Sequence, residues 1–106
     1  MKHLYDILNK DISEYDVEYR VHATKRMFQR SIHSNDVDEI LNSGKIIEIY
    51  EDDFPLPSVL LSGKTYVQRS LHLVVGLNEY DLKLVIITAY EPDSNKWNEN
   101  FSKRLT

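Results

Sequence analysis

Three residues with chemical potential, His22, Arg26 and Arg30, stand at i, i+4 and i+8 within the stretch Val21 to Arg30. At about 100° per residue they form one narrow stripe on a helix. Lys25 and Gln29 flank that stripe, and no Asp or Glu interrupts the run from Arg20 to Arg30. Ala23, Thr24, Met27 and Phe28 fall on the other side and are expected to pack inward. The helix would then show a core face and a cationic face carrying an imidazole. That arrangement suits an anion, above all a phosphodiester. A charge run is more often a solvated face, and spacing alone does not separate the two readings.

A second group comes from alternation. In the segment Gln68 to Gly76, Leu71, Leu73 and Val75 point one way while Ser70, His72 and Val74 point the other. If the apolar set meets the helices, His72 lies on the open face of the sheet. Thr88 and Tyr90, two apart in the last strand, share a face with each other. Whether that face is also the His72 face depends on strand register, which a sequence leaves free. If the faces coincide, His72, Thr88 and Tyr90 line a groove; otherwise His72 is a half-buried structural histidine. His3 and His33 look incidental. Arg69, Lys103 and Arg104 are further cations, the last two forming a second basic spot near the end.

Other site classes lack their signatures. The chain has no cysteine, no HExxH and no glycine-rich phosphate loop, its glycines being Gly44, Gly63 and Gly76. A nucleophile elbow is missing too, and Asp52 and Asp53 sit in an acidic loop that reads as solvated. What remains is acid/base work by His or Tyr with Arg stabilising negative charge, needing neither metal nor other cofactor. That inventory fits RNA cleavage: a base takes the ribose 2′-OH proton, Arg steadies the phosphorane, and an acid protonates the leaving 5′-oxygen.

The positioning elements follow from patterning. At 106 residues, 42% hydrophobic and 28% charged, the chain is expected to be one globular domain over residues 1–106. The formal charge of −4 is unlike that of a general polyanion binder. With no secretory signal and no run near about 18 apolar residues, a cytoplasmic protein away from membranes is expected. Leu4, Leu8 and Ile12 predict a short N-terminal helix within residues 1–14, and Asp16 to Val21 an extended lead-in or short strand. The basic helix follows, then a second helix with Ser34 as N-cap and Gly44 as a left-handed stop. After Gly44 the period becomes two, giving four strands. In the first of these Ile47 and Ile49 share one face, and Glu48 and Tyr50 the other. The last is apolar on both sides and so interior. Trp97 and Phe101 are placed to pin the tail to the body. The sum is an α+β fold, N-terminal helices on one face of a four-stranded, mainly antiparallel meander sheet.

Several of these residues also match a family pattern. His22-Ala23, Arg26-Met27, Arg30, Ile32, Asp36-Val37, Ile40-Leu41 and Gly44 with Ile46-Ile47-Glu48 resemble the first half of the bacterial and archaeal domain of unknown function 4258. Pro57-Ser58, Leu60-Leu61, Gly63, Leu71-His72, Val74-Val75, the run Ile87 to Pro92 and Trp97 resemble its second half. The likeness runs from about Val21 to Arg104 and leaves the N-terminal helix largely outside. That family in turn resembles the RelE-like (barnase-like) toxins, metal-independent endoribonucleases of α+β fold. The resemblance implies His22, Arg26, Arg30, His72 and Tyr90 as the catalytic set. His22 or His72 would be acid or base, Arg26 and Arg30 would hold phosphate, and Tyr90 would orient or stack. Lys25, Arg69, Thr88, Lys103 and Arg104 would help to bind RNA. The implied partners are RNA and a small zinc-finger antitoxin of a type II toxin–antitoxin pair. The rival readings are a module that binds nucleic acid or protein without cleaving it, and an interaction protein that takes up a partner strand at its sheet edge.

Overall fold

In the computed structural model, which describes residues 2–105, the expected N-terminal helix is reduced to two single 3₁₀ turns, Leu4–Asp6 and Ile12–Glu14. The cause is local. Asp6 Oδ2 accepts from the His3 amide at 2.9 Å, and Asp11 Oδ1 accepts from the Ser13 amide at 2.9 Å. Such short side-chain bonds give the backbone an alternative to a continuous helix. Leu4 still reaches the core and is fully buried.

The following alternation forms a true strand, β1 (Asp16–Tyr19), which runs parallel to the last strand from Asp16 opposite Lys83 to Tyr19 opposite Ile86. The sheet therefore has five strands and is mixed, where four in an antiparallel meander were expected. Helices α1 (Val21–Gln29) and α2 (Ser34–Ser43) come next, then β2 (Lys45–Tyr50), β3 (Ser58–Lys64), β4 (Ser70–Asn78) and β5 (Lys83–Tyr90). β2 to β5 do form the antiparallel meander, and the strand order is β1-β5-β4-β3-β2. β5 is interior, as its two-sided apolar character requires.

Both helices pack on one face of this sheet. Ala23 and Met27 of α1, with Val37, Ile40 and Leu41 of α2, meet Leu61, Leu71, Leu73, Val75, Leu84 and Ile86 in a single core. The expectation for Thr24 and Phe28 does not hold: both are exposed, Phe28 to 87%. α1 has only nine residues and packs mainly against β5, so its buried face is narrow and closes at Ala23 and Met27.

The second helix also starts and stops by other means than expected. His33, not Ser34, occupies the cap position, and Asp36 Oδ2 accepts from the His33 amide at 2.9 Å. Gly44 has φ −67°, so it is not left-handed. Its smallness serves a close approach instead, because a Cβ there would lie 2.5 Å from the Ile40 carbonyl oxygen. Gly44→Ala is expected to cost about 1–3 kcal/mol, as overpacking does, read as a lower urea midpoint. An unchanged midpoint would show that the turn yields freely. A positive φ occurs at Ser31 (54°), which turns the chain between α1 and α2.

Two bulges set the faces. In β2 the pairing skips Ile47, between Ile46 opposite Leu61 and Glu48 opposite Leu60. Ile46, rather than Ile47, is thus the core residue, while Glu48 and Tyr50 keep to the face away from the helices. In β5 the pairing skips Ile87, so Ile86 and Ala89 both enter the helix-side core. His72 is opposite Tyr90 and Val74 opposite Thr88. His72, Thr88 and Tyr90 therefore do share the second face of the sheet.

Candidate functional site

That second face is not open over β4. The tail after β5 folds back across it, held by an isolated bridge between Trp97 and Arg104, and Trp97 is only 4% exposed. His72 lies beneath the tail with 0% exposure, its ring 4.5 Å from that of Trp97 and edge-on to it. Sequence patterning put His72 on the correct face but left it uncovered.

The imidazole is fully engaged. Nε2 lies 2.8 Å from the Phe101 carbonyl oxygen and Nδ1 lies 3.1 Å from Tyr90 Oη. A carbonyl can only accept, so Nε2 carries the hydrogen and the bare Nδ1 accepts from the Tyr90 hydroxyl. Burial holds His72 below the usual 6.5 of an imidazole, and burial likewise pushes Tyr90 above the usual 10.0 of a phenol. Both groups are neutral near pH 7.

The lowered His72 value has a consequence for stability. Protonation favours the unfolded chain, in which the imidazole titrates normally. The stabilisation is complete above about pH 6.5 and is lost as pH falls from there toward the depressed folded value. Urea midpoints of the protein should therefore decline as pH drops from about 7 to about 5. His72→Gln should flatten that decline, and an equally steep one in the variant would remove His72 as its source.

Next to this pair, Glu48 accepts from Arg104 Nε at 2.8 Å and from Arg104 Nη2 at 3.1 Å, and Tyr50 donates its hydroxyl to the same carboxylate. The Arg104 bonds keep Glu48 below the ordinary carboxylate range, while burial and Glu48 push Tyr50 to about 12. Arg104 is held with its guanidinium carbon 4.7 Å from the centre of the Trp97 ring.

Arg104 faces a hollow of about 550 Å³ that it shares with Arg30, Tyr90, Glu91, Asp93, Lys96 and Trp97. Arg30 reaches it from the end of α1, with Nη1 donating to the Ala89 carbonyl at 2.8 Å. Arg69 braces the same junction, donating to the Ser31 and Arg30 carbonyls at 2.6 Å each and pairing with Glu91 at 3.1 Å. Arg69 is thus spent within the protein rather than presented to a ligand.

The cationic stripe of α1 divides. A residue four further on is displaced by about 40° around the helix, so Arg30 lies closer to the Ala23–Met27 side than Arg26 does. Arg30 is half-buried and turned to β5, whereas His22, Lys25 and Arg26 are exposed and do not line the hollow. Thr88 is half-buried on the Tyr90 face, and Lys103 is exposed on the tail. Of the five residues in the catalytic set, the structure brings together Arg30 and Tyr90 in the hollow, with His72 behind them.

Glu48, Tyr50, Asp93 and Lys96 were not singled out from sequence. Glu48 and Tyr50 carry a usable signal, the polar alternate positions of β2, whereas Asp93 and Lys96 are ordinary loop residues until the tail folds back. Among the described residues no three His, Asp or Glu side chains gather as metal ligands would. No helix among them is long and apolar enough to cross a membrane.

No curated protein and no solved structure matches the chain. A family model does match, described as "Domain of unknown function (DUF4258)", over residues 19–91. The match includes His22, Arg30, His72 and Tyr90 but ends at Glu91, short of Trp97 and Arg104, to which the sequence resemblance had been carried. Because it spans well over half of the 106 residues, the chain belongs to this family.

Proposed function

We propose that the hollow between α1 and the tail binds and cleaves RNA, making the protein a metal-independent endoribonuclease of the RelE-like kind and the toxin of a toxin–antitoxin pair. The observation that carries the proposal is Tyr90, which meets a bare imidazole nitrogen through its hydroxyl and lines the same hollow as Arg30 and Arg104. Two guanidiniums suit a phosphodiester and the extra charge of a phosphorane.

In this mechanism the 2′-oxygen attacks phosphorus while its proton passes to Tyr90 Oη and the tyrosine's own proton passes to His72 Nδ1. Burial disfavours the imidazolium formed, and the Phe101 carbonyl and the Glu48 carboxylate offset part of that cost. Arg30 and Arg104 hold the phosphorane oxygens. The bond to the 5′-oxygen then breaks, and that oxygen is protonated at the rim of the hollow, where the Lys96 ammonium stands. The products are a 2′,3′-cyclic phosphate and a 5′-hydroxyl.

The test is incubation of the purified protein with single-stranded RNA in EDTA. Cyclic phosphate ends that disappear with His72→Ala support the enzyme. Binding without product, unchanged in His72→Ala, would instead support a module that holds RNA without cutting it. That second reading draws on the complete burial of His72. Growth arrest on expression, relieved by the product of a neighbouring gene, would support the toxin role.

A further inference from the structure

The outer side of α1, away from the hollow, carries something unusual for a small domain. Val21 is 81% exposed and Phe28 is 87% exposed. At i and i+7, with Thr24 between them at i+3, they form one apolar line along the outer side of α1. That line leads into a separate groove of about 500 Å³ where α1 meets α2, formed by Tyr19, Met27, Phe28 and Ile32 with His33 and Ser34 at its end. A large exposed ring at the mouth of an apolar groove is a feature of surfaces that receive a partner.

The charge around it is one-sided. Lys25, three residues before Phe28 and four after Val21, and Arg20 at the start of the helix make no ion pair among the described residues. Asp38 of α2, close enough to raise the Tyr19 phenol, is the acidic group acting on the other margin. A chain with 17 acidic and 13 basic side chains thus keeps Lys25 and Arg20 unpaired next to its exposed apolar line.

We propose that this face of α1 is a protein-docking surface, and that its occupant is an acidic segment of a second protein. An apolar side chain of that segment would fill the groove beside Phe28, and its carboxylates would meet Lys25 and Arg20. RNA would use the same cations, but it has no use for Val21 or for a groove floored by Met27 and Ile32. The assignment does not depend on catalysis in the hollow.

Selection of random 15-residue phage-displayed peptides on the full chain, counter-selected on Phe28→Ser, tests this directly. Phe28 contributes little to the core, and circular dichroism melting checks that the variant is folded. The expected result is a set of peptides with net negative charge and a bulky apolar residue. Measured by fluorescence anisotropy, their binding should weaken at least about tenfold in Phe28→Ser and again in Lys25→Glu, since one partner of an interface anchor is removed each time. Failure to find any Phe28-dependent peptide would overturn the proposal, as would Phe28-dependent peptides without acidic residues. A single-stranded 20-nucleotide RNA that loses binding about tenfold in Phe28→Ser would hand the surface to RNA and overturn it as well.

Discussion

Replacing Tyr90 by Phe is expected to lower RNA cleavage by about 10²–10⁴-fold, the range that general acid–base catalysis supplies, while leaving RNA affinity within about twofold. The substitution removes one oxygen and keeps the ring that borders the hollow. It deletes the hydroxyl through which His72 Nδ1, 3.1 Å away, could take up a proton from substrate. Arg30 and Arg104 stay in place, held by the Ala89 carbonyl and by Glu48, so ground-state binding should persist. The signature is a fall in kcat with KM nearly constant. Cleavage at the full rate in Tyr90→Phe would remove the Tyr90–His72 pair from the chemistry. A parallel loss of binding and rate would indicate a phosphate contact instead of proton transfer.

Trp97→Ala is expected to be the most destabilising single change in the tail, at about 3–5 kcal/mol, the usual cost of truncating a buried large aromatic residue. Two side-chain contacts go at once, the edge-on packing against His72 and the surface on which Arg104 lies, which leaves the backbone bridge between residues 97 and 104 without the ring that shields it. His72 would gain access to water, so its lowered pKa should return toward 6.5, visible by NMR as an imidazole titration whose midpoint moves to higher pH. Trp97→Phe retains a ring and should recover much of the stability. A Trp97→Ala protein with an unchanged melting point would mean that the tail is not anchored through this residue.

These two residues also show what a sequence can and cannot convey. The pairing of His72 with Tyr90 was open from sequence because a shift of one residue would send the two side chains to opposite faces. The Ile87 bulge in β5 makes such a count unreliable even when the strand is recognised. β1 escaped full recognition for a different reason. Its four residues carry a weak alternation, and the partner that makes them a strand, Lys83 to Ile86, lies far along the chain. The meander, by contrast, was readable, since β2 to β5 are neighbours in sequence and alternate over six to nine residues.

Phe28 is the instructive failure. Amphipathicity assigned it inward because it is apolar, yet the buried arc of α1 spans only Ala23 and Met27. The same narrowness separates Arg30 from Arg26, although both belong to one stripe on a helical wheel. Glu48 and Tyr50 were placed on the correct face, but nothing local announces that Arg104 will reach them. The site was legible where it depends on strand alternation and obscure where it depends on the returning tail.

The hollow draws one wall from residue 30 and another from residue 104. During synthesis on a ribosome, α1 emerges before the strand that flanks it and the bridge that faces it. A nascent chain therefore carries Arg30 with no cavity to put it in until residue 104 has emerged, so the two guanidiniums meet only after the sheet between them has been made.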